Sequence, residues 1–319
     1  MGEPPKLTIR LLGTFVVDRD GEPVADDEWR TERNLALLKL LLTRPGHDFT
    51  PEELMEHLWP ETDPELSRRN LQGRISELRR ILEPGLERGG DSSFIETTRA
   101  GYRFVPDHCE IDLLRFRERR QRGLDAEAAG DVETAIACYR EAASLYRGPP
   151  LPHDRHEEWA VPFQAELEAE YVELLTHLVE GLMGQGDYGE ALPHGRALLE
   201  RDPYEEAHWR RVMTCHFERG EPTQALTAYE RLQHTLRLEF QVAPSEATRR
   251  LAEEIRQASE PSIVRGKLRE RARELESATD LTGILERIDT LDQLGDQSEV
   301  HSAIQKALAE TGDNRTQAA

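Results

Sequence analysis

A glycine-led phrase recurs three times in the middle of the chain, and it restricts what that region can fold into more than any other feature. Gly130-Asp131-Val132-Glu133-Thr134-Ala135 matches Gly186-Asp187-Tyr188-Gly189-Glu190-Ala191 and Gly220-Glu221-Pro222-Thr223-Gln224-Ala225. Each Gly can turn the chain between two helices, and each Ala five residues later lets helices approach closely. Four residues past those alanines stand Tyr139, Gly195 and Tyr229. The second and third glycines are 34 residues apart, whereas the first and second are 56 apart, so 22 residues are inserted between those two copies. Paired helices of this kind bury their apolar faces by stacking and leave a surface for partners. Residues 107–259, wholly helical in pattern from Asp112 onward, read as one such all-α region.

The first 106 residues have a different texture. Leu7–Gly13 and Thr14–Val17 are rich in aliphatic and β-branched residues, and Asp20-Gly21 is a turn signal, which predicts a small antiparallel sheet. Arg30–Arg44 is an apolar helix that stops before Pro45-Gly46. Thr50-Pro51-Glu52-Glu53 opens a second helix with a capping box, and this helix ends at Pro60. A third helix, 64–82, starts at Asp63-Pro64, a capping side chain followed by a residue already fixed at helical φ. Residues 93–105, SFIETTRAGYRFV, alternate as two strands joined around Arg99-Ala100-Gly101.

The third helix carries the chemistry. Leu71, Ile75, Leu78 and Leu82 share one stripe, and at about 100° per residue the opposite face takes Arg69, Gln72, Gly73, Ser76, Glu77 and Arg80. Arg68, Arg74 and Arg79 flank that face. Arginine, glutamine and serine suit base edges and phosphates, and a glycine among them lets the helix axis come close to a partner. The chain as a whole is acidic, with a formal net charge of −21, of which residues 1–106 carry −5. Within 67–82, however, five Arg stand against one Glu. A local basic surface on an acidic protein can still hold DNA, while the acidic remainder suppresses nonspecific adhesion.

Sheet, three helices and hairpin is the order of a winged helix, whose third helix enters the major groove while the hairpin lies on the backbone or in the minor groove. The wording resembles the OmpR-type winged helix. Ile75-Ser76-Glu77-Leu78-Arg79 matches the end of that family's recognition helix. Thr97-Thr98-Arg99-Ala100-Gly101-Tyr102-Arg103 matches its wing, one residue shorter between Arg and Gly. By this resemblance Thr98 and Arg99 join the DNA-binding set, with Arg99 aimed at the minor groove. The 34-residue period, with Trp209 and Pro203 at consensus spacings, resembles tetratricopeptide repeats. Winged helix, repeats and the inserted GPPL and EEW segments in that order resemble the SARP and AfsR-like regulators with their bacterial transcriptional activator domain. Gln241–Glu246, leading into 248–257, resembles that domain's closing helix. The resemblance implies a transcription activator that binds direct repeats in double-stranded DNA as tandem protomers, a homodimer at least on DNA, and that contacts RNA polymerase.

The expected fold is therefore mainly α: a winged helix-turn-helix (α+β) over 1–106, an all-α tetratricopeptide-like domain over 107–259, and a helical extension of unassigned role over 260–319. In that extension 268–275, 284–294 and 300–308 read as amphipathic helices and 312–319 as a loose tail. OmpR-type domains often follow a receiver domain. Here the sheet begins within ten residues of Met1, so no phosphoacceptor domain is expected in this chain. Three distant cysteines without a C-x-x-C, the lack of a signal core and of any run of about 18 apolar residues predict a cytoplasmic protein without disulfides or membrane spans. His153-Asp154-Arg155-His156-Glu157-Glu158 lacks the second His of H-E-x-x-H, so no metal site is expected. With no G-x-x-x-x-G-K-[ST] and no Ser/His/Asp or Cys/His grouping, no cofactor and no enzymatic activity are expected either. The alternative is a repeat-type protein adaptor whose winged helix binds no DNA, favoured by the acidic total and by Glu77 on the groove face.

Overall fold

A computed structural model describes residues 4–87 and 89–259. The readings made for 260–319 lie outside the described residues. Two compact units divide the chain, Met1–Gly181 and Leu182–Ala319.

The first unit opens with β1 (Leu7–Arg10), β2 (Val16–Arg19) and β3 (Glu22–Pro23), antiparallel neighbours in sequence. A fourth strand, β6 (Cys109–Ile111), pairs parallel with β1, so the order is β3-β2-β1-β6. Between them lie α1 (Glu32–Thr43), α2 (Pro51–Leu58), α3 (Pro64–Leu82) and the hairpin of β4 (Ile95–Thr97) and β5 (Tyr102–Phe104). Leu37, Leu38 and Leu41 of α1, Leu54 and Leu58 of α2, and Leu71, Ile75, Leu78 and Leu82 of α3 are buried together with Phe49, Phe94 and Phe104. Each such leucine contributes roughly 1.5–3 kcal/mol of transfer free energy. The predicted sheet, three helices and hairpin are all present. The first helix starts at Glu32 rather than Arg30, because Thr31 accepts from the Asn34 amide and caps it. The capping box of α2 forms as read, with Glu53 N–H donating to Thr50 Oγ1 and Thr50 N–H to Glu53 Oε2.

After β6 the chain turns directly into α4 (Asp112–Ala128), then α5 (Val132–Leu145) and α6 (Ala160–Gly184). The α4–α5 pair belongs to the same compact unit as the winged helix, and the contacts show why. Buried Asp112, the first residue of α4, accepts from the Leu11 and Leu12 amides at 2.8 and 3.2 Å. The inserted segment closes the arrangement: Arg147 N–H donates to Leu12 O and Leu151 N–H to Leu11 O. Asp154, within the His-rich stretch, holds Lys39 of α1 at 2.6 Å in a largely buried ion pair. That carboxylate is thus part of the packing between the inserted segment and α1.

The second unit holds α7 (Tyr188–Arg201), α8 (Glu206–Glu218), α9 (Pro222–Glu239) and a helix over 246–259. The repeat glycines behave as their spacing requires. Gly130, Gly186 and Gly220 have φ of +79°, +78° and +73°, at turns where an L side chain would be strained. Asp131 and Asp187 cap the helices that follow through the Thr134 and Glu190 amides. The third copy has Glu221 instead, and Pro222 at the first helical position starts that helix. Ala135, Ala191 and Ala225 are buried, as are Tyr139, Gly195 and Tyr229. Trp209 donates its indole N–H to Pro203 O at 2.8 Å, tying the two consensus positions together. Ser245 caps the closing helix and is itself held by Glu206, whose carboxylate accepts from its amide and hydroxyl.

Candidate nucleic-acid interface

The surface of α3 divides sharply. Asp63 accepts from the Glu65 and Leu66 amides, both at 3.1 Å, and Pro64 sets the first turn. Ser67, Leu71, Ile75, Leu78, Ile81 and Leu82 face inward. Arg68, Arg69, Gln72, Gly73, Ser76 and Arg80 are exposed.

Their partners sort these residues further. Arg69 and Arg80 each lie along their own helix, Nε donating to Glu65 O at 3.4 Å and to Ser76 O at 3.1 Å. Among the described residues neither has a carboxylate partner. Ser76 Oγ donates to Gln72 O at 2.9 Å. A Cβ on Gly73 would meet nothing within 4 Å, so the fold itself does not require glycine there. Arg68 pairs with Glu52 of α2 at 2.8 Å, both exposed.

Three of the sequence-predicted residues are engaged inside the domain. Arg79 donates Nε to Ile95 O at 3.0 Å and Nη2 to Thr97 Oγ1 at 2.7 Å, clamping the helix to the hairpin. Arg74 is bound to Glu77 at 2.7 Å and to Thr31 Oγ1 at 3.3 Å. Glu77 was placed by the helical wheel on the free face. It is instead half-buried and accepts from Asn34 Nδ2 at 3.0 Å as well as from Arg74. Asn34 is fully buried and also donates to Trp29 O, so this network ties α3 to α1 and to the turn before it. Sequence reasoning missed Asn34. Its only signal was a polar residue on the inner side of an otherwise apolar helix.

The hairpin pairs Ile95 with Phe104, Glu96 with Arg103 and Thr97 with Tyr102. Thr98 N–H donates to Gly101 O at 2.8 Å, and Thr98 Oγ1 accepts from the Ala100 and Gly101 amides at 3.2 Å. The shortened tip is therefore a closed turn that fixes Thr98 and leaves Arg99 exposed, without a carboxylate partner among the described residues. Arg103 is tied to Asp48 and Glu96 and braces the base of the hairpin.

Comparison with known proteins agrees with this layout. Residues 27–104 match the family "Transcriptional regulatory protein, C terminal", and residues 111–256 match the "Bacterial transcriptional activator domain". The transcriptional regulatory protein EmbR of Mycobacterium tuberculosis is 29% identical over 252 residues, 78% of this chain and 63% of EmbR, so the match spans less than two thirds of that relative. The regulatory protein DnrI of Streptomyces peucetius is 28% identical over 263 residues, 81% of this chain and 95% of DnrI. AfsR of Streptomyces coelicolor is 27% identical over 258 residues, 80% of this chain and 25% of AfsR. A solved structure of M. tuberculosis EmbR in complex with a low-affinity phosphopeptide superposes with a TM-score of 0.65 at 24% identity, covering 89% of this chain and 71% of that one, which establishes a shared fold.

The two matches, one over the winged helix and one over the helical repeats, make the chain similar to transcriptional regulators. The chain is similar to the SARP and AfsR-like regulators, DnrI and AfsR among them. The matched relatives carry regulatory rather than enzymatic names. Among the described residues no helix is long and apolar enough to cross a membrane.

Proposed function

We propose that the protein is a sequence-specific DNA-binding transcription activator, with α3 in the major groove and the tip of the β4–β5 hairpin at the minor groove. One observation carries this reading: on α3 the buried or bridging side chains are all engaged, while Arg69, Gln72, Gly73 and Ser76, with Arg80 at the C-terminal end, form an exposed stripe. Arg69, Gln72 and Ser76 supply the donors and acceptors that base edges require, Arg99 supplies a cation for the narrow groove, and Arg68 flanks the stripe. Glu77 does not oppose this, since Arg74 and Asn34 absorb its charge and lone pairs. The helical-repeat domain contacts a second protomer, RNA polymerase or both, with tandem protomers on direct repeats.

Replacing Arg69 or Gln72 with alanine is expected to relax base preference at one or two positions, each bidentate contact being worth about 1–3 kcal/mol. Duplex binding across single-base variants of the selected site checks this. Unaltered preference in both variants would remove the stripe from the groove. Gly73→Ala separates fold from function in a second way. It should stabilise the domain by about 0.5–1 kcal/mol, as expected for glycine in an open helix interior. The same change should weaken DNA binding, because the added methyl stands where the helix meets the duplex. A variant that melts higher and binds equally well would show that α3 does not approach DNA closely at this point.

A further inference from the structure

Between α3 and the segment leading into α1 lies a pocket of about 160 Å³ lined by Glu28, Arg30, Glu77, Arg80, Ile81 and Pro84. Both of its carboxylates are already taken. Arg19 holds Glu28 at 2.9 Å, and this hydrogen bond keeps the Glu28 carboxyl below its ordinary pKa. Arg74 and Asn34 hold Glu77. Its two guanidinium groups are not: among the described residues neither Arg30 nor Arg80 has a carboxylate partner. The pocket therefore holds two positive charges without a carboxylate partner, beside two carboxylates that already have one.

The backbone at Arg30 adds an independent observation. Its φ of 60° and ψ of −40°, with Thr31 N–H donating to Trp29 O at 2.6 Å, make a three-residue γ-turn of the strained, positive-φ kind. Glycine would adopt this conformation without a Cβ penalty. The fold instead holds a long, exposed cation there, at the mouth of a pocket that faces the recognition helix.

We propose that Arg30 and Arg80 form an anion site for a phosphate group, and that its occupant is a backbone phosphodiester beside the major groove. Two guanidinium forks present enough N–H donors to bind the non-bridging oxygens in bidentate fashion. The inference rests on the DNA-binding reading above and deepens it, adding Arg30 to the interface and making Arg80 a phosphate ligand.

The test is duplex binding by the full chain and its Arg30→Gly variant across a salt series, with inorganic phosphate as a second probe without DNA. Arg30→Gly should melt at the same temperature as the wild type or higher, since glycine suits the turn. Its log–log salt slope should fall by about one with base preference unchanged, which makes the affinity lost between about 50 and 200 mM salt roughly fourfold smaller. Arg80→Ala should do the same. An unmoved slope with intact wild-type binding overturns the site as a DNA contact. If phosphate then raises the wild-type melting temperature but not that of Arg30→Gly, the pocket takes a free phosphate instead. A wild-type chain that binds no duplex defeats the DNA reading itself, and the inference with it.

Discussion

Gly101→Ala is expected to lower stability by about 3 kcal/mol and to abolish duplex binding with it. A Cβ at this position would lie 2.0 Å from the carbonyl oxygen of Phe49 and 3.1 Å from Pro51 Cδ. Neither neighbour can yield cheaply. The Phe49 carbonyl accepts from the Tyr102 amide at 2.9 Å, and the Phe49 amide donates to Tyr102 O at 2.9 Å, so this pair of bonds joins the hairpin to the strand-like segment before α2. Pro51 is the first residue of α2. Relieving the clash means lifting the hairpin off α2, and that also pulls Thr97 and the Ile95 carbonyl away from Arg79 of α3. Thermal unfolding and duplex affinity, measured together, check the expectation. A variant that melts within about a degree or two of the wild type would mean that the hairpin does not dock through the Phe49–Tyr102 pairing.

The second large effect concerns the junction between the winged helix and the first helix pair. Asp112→Ala should destabilise the chain by about 4 kcal/mol, the scale for leaving two buried donors without acceptors. The Asp112 carboxylate receives the Leu11 and Leu12 amides and Arg147 Nη1 at 3.3 Å, and alanine would leave both amides unpaired in a region where Leu11 and Leu12 are fully buried. Burial raises the Asp112 pKa, and the hydrogen bonds from Leu11 and Leu12 and the charge of Arg147 only partly offset it. A carboxyl whose pKa is raised on folding contributes most below its unfolded pKa, and that contribution fades as the pH rises through the folded value. The stability gap between the wild type and Asp112→Asn should therefore widen as the pH is lowered into the carboxylate range. A gap that narrows would mean that the ionised form is the one the fold favours.

What could be read from the sequence, and what could not, follows from how local each signal is. Asp63-Pro64 and the stripe of Leu71, Ile75, Leu78 and Leu82 specify α3 within its own 20 residues, and the structure has that helix with that buried face. The repeat glycines were legible for the same reason, because a positive φ at a helix-to-helix turn selects glycine without reference to the rest of the fold. Strand β6 was not. Its three residues, Cys109–Ile111, show no period, and only pairing with β1, about a hundred residues earlier, makes them a strand. Glu77 was misplaced because its partner Asn34 lies 43 residues away, and a helical wheel knows nothing of neighbouring helices. Lys39 and Asp154, 115 residues apart, meet only because the inserted segment folds back onto α1. Arg30 reads as the start of a helix, and only the backbone reveals the γ-turn that holds it outside.

The central claim is that Arg69, Gln72 and Ser76, on the exposed stripe of α3, read DNA sequence. Selection of bound duplexes from a random pool by the full chain, at moderate salt, tests it most directly. The account predicts enrichment of a defined motif, occurring twice in the same orientation about one helical turn apart, with information lost at specific positions when the selection is repeated with Arg69→Ala. A pool that emerges unenriched, from a chain that is folded and stable, would contradict the claim and leave the winged helix as a surface for protein contacts.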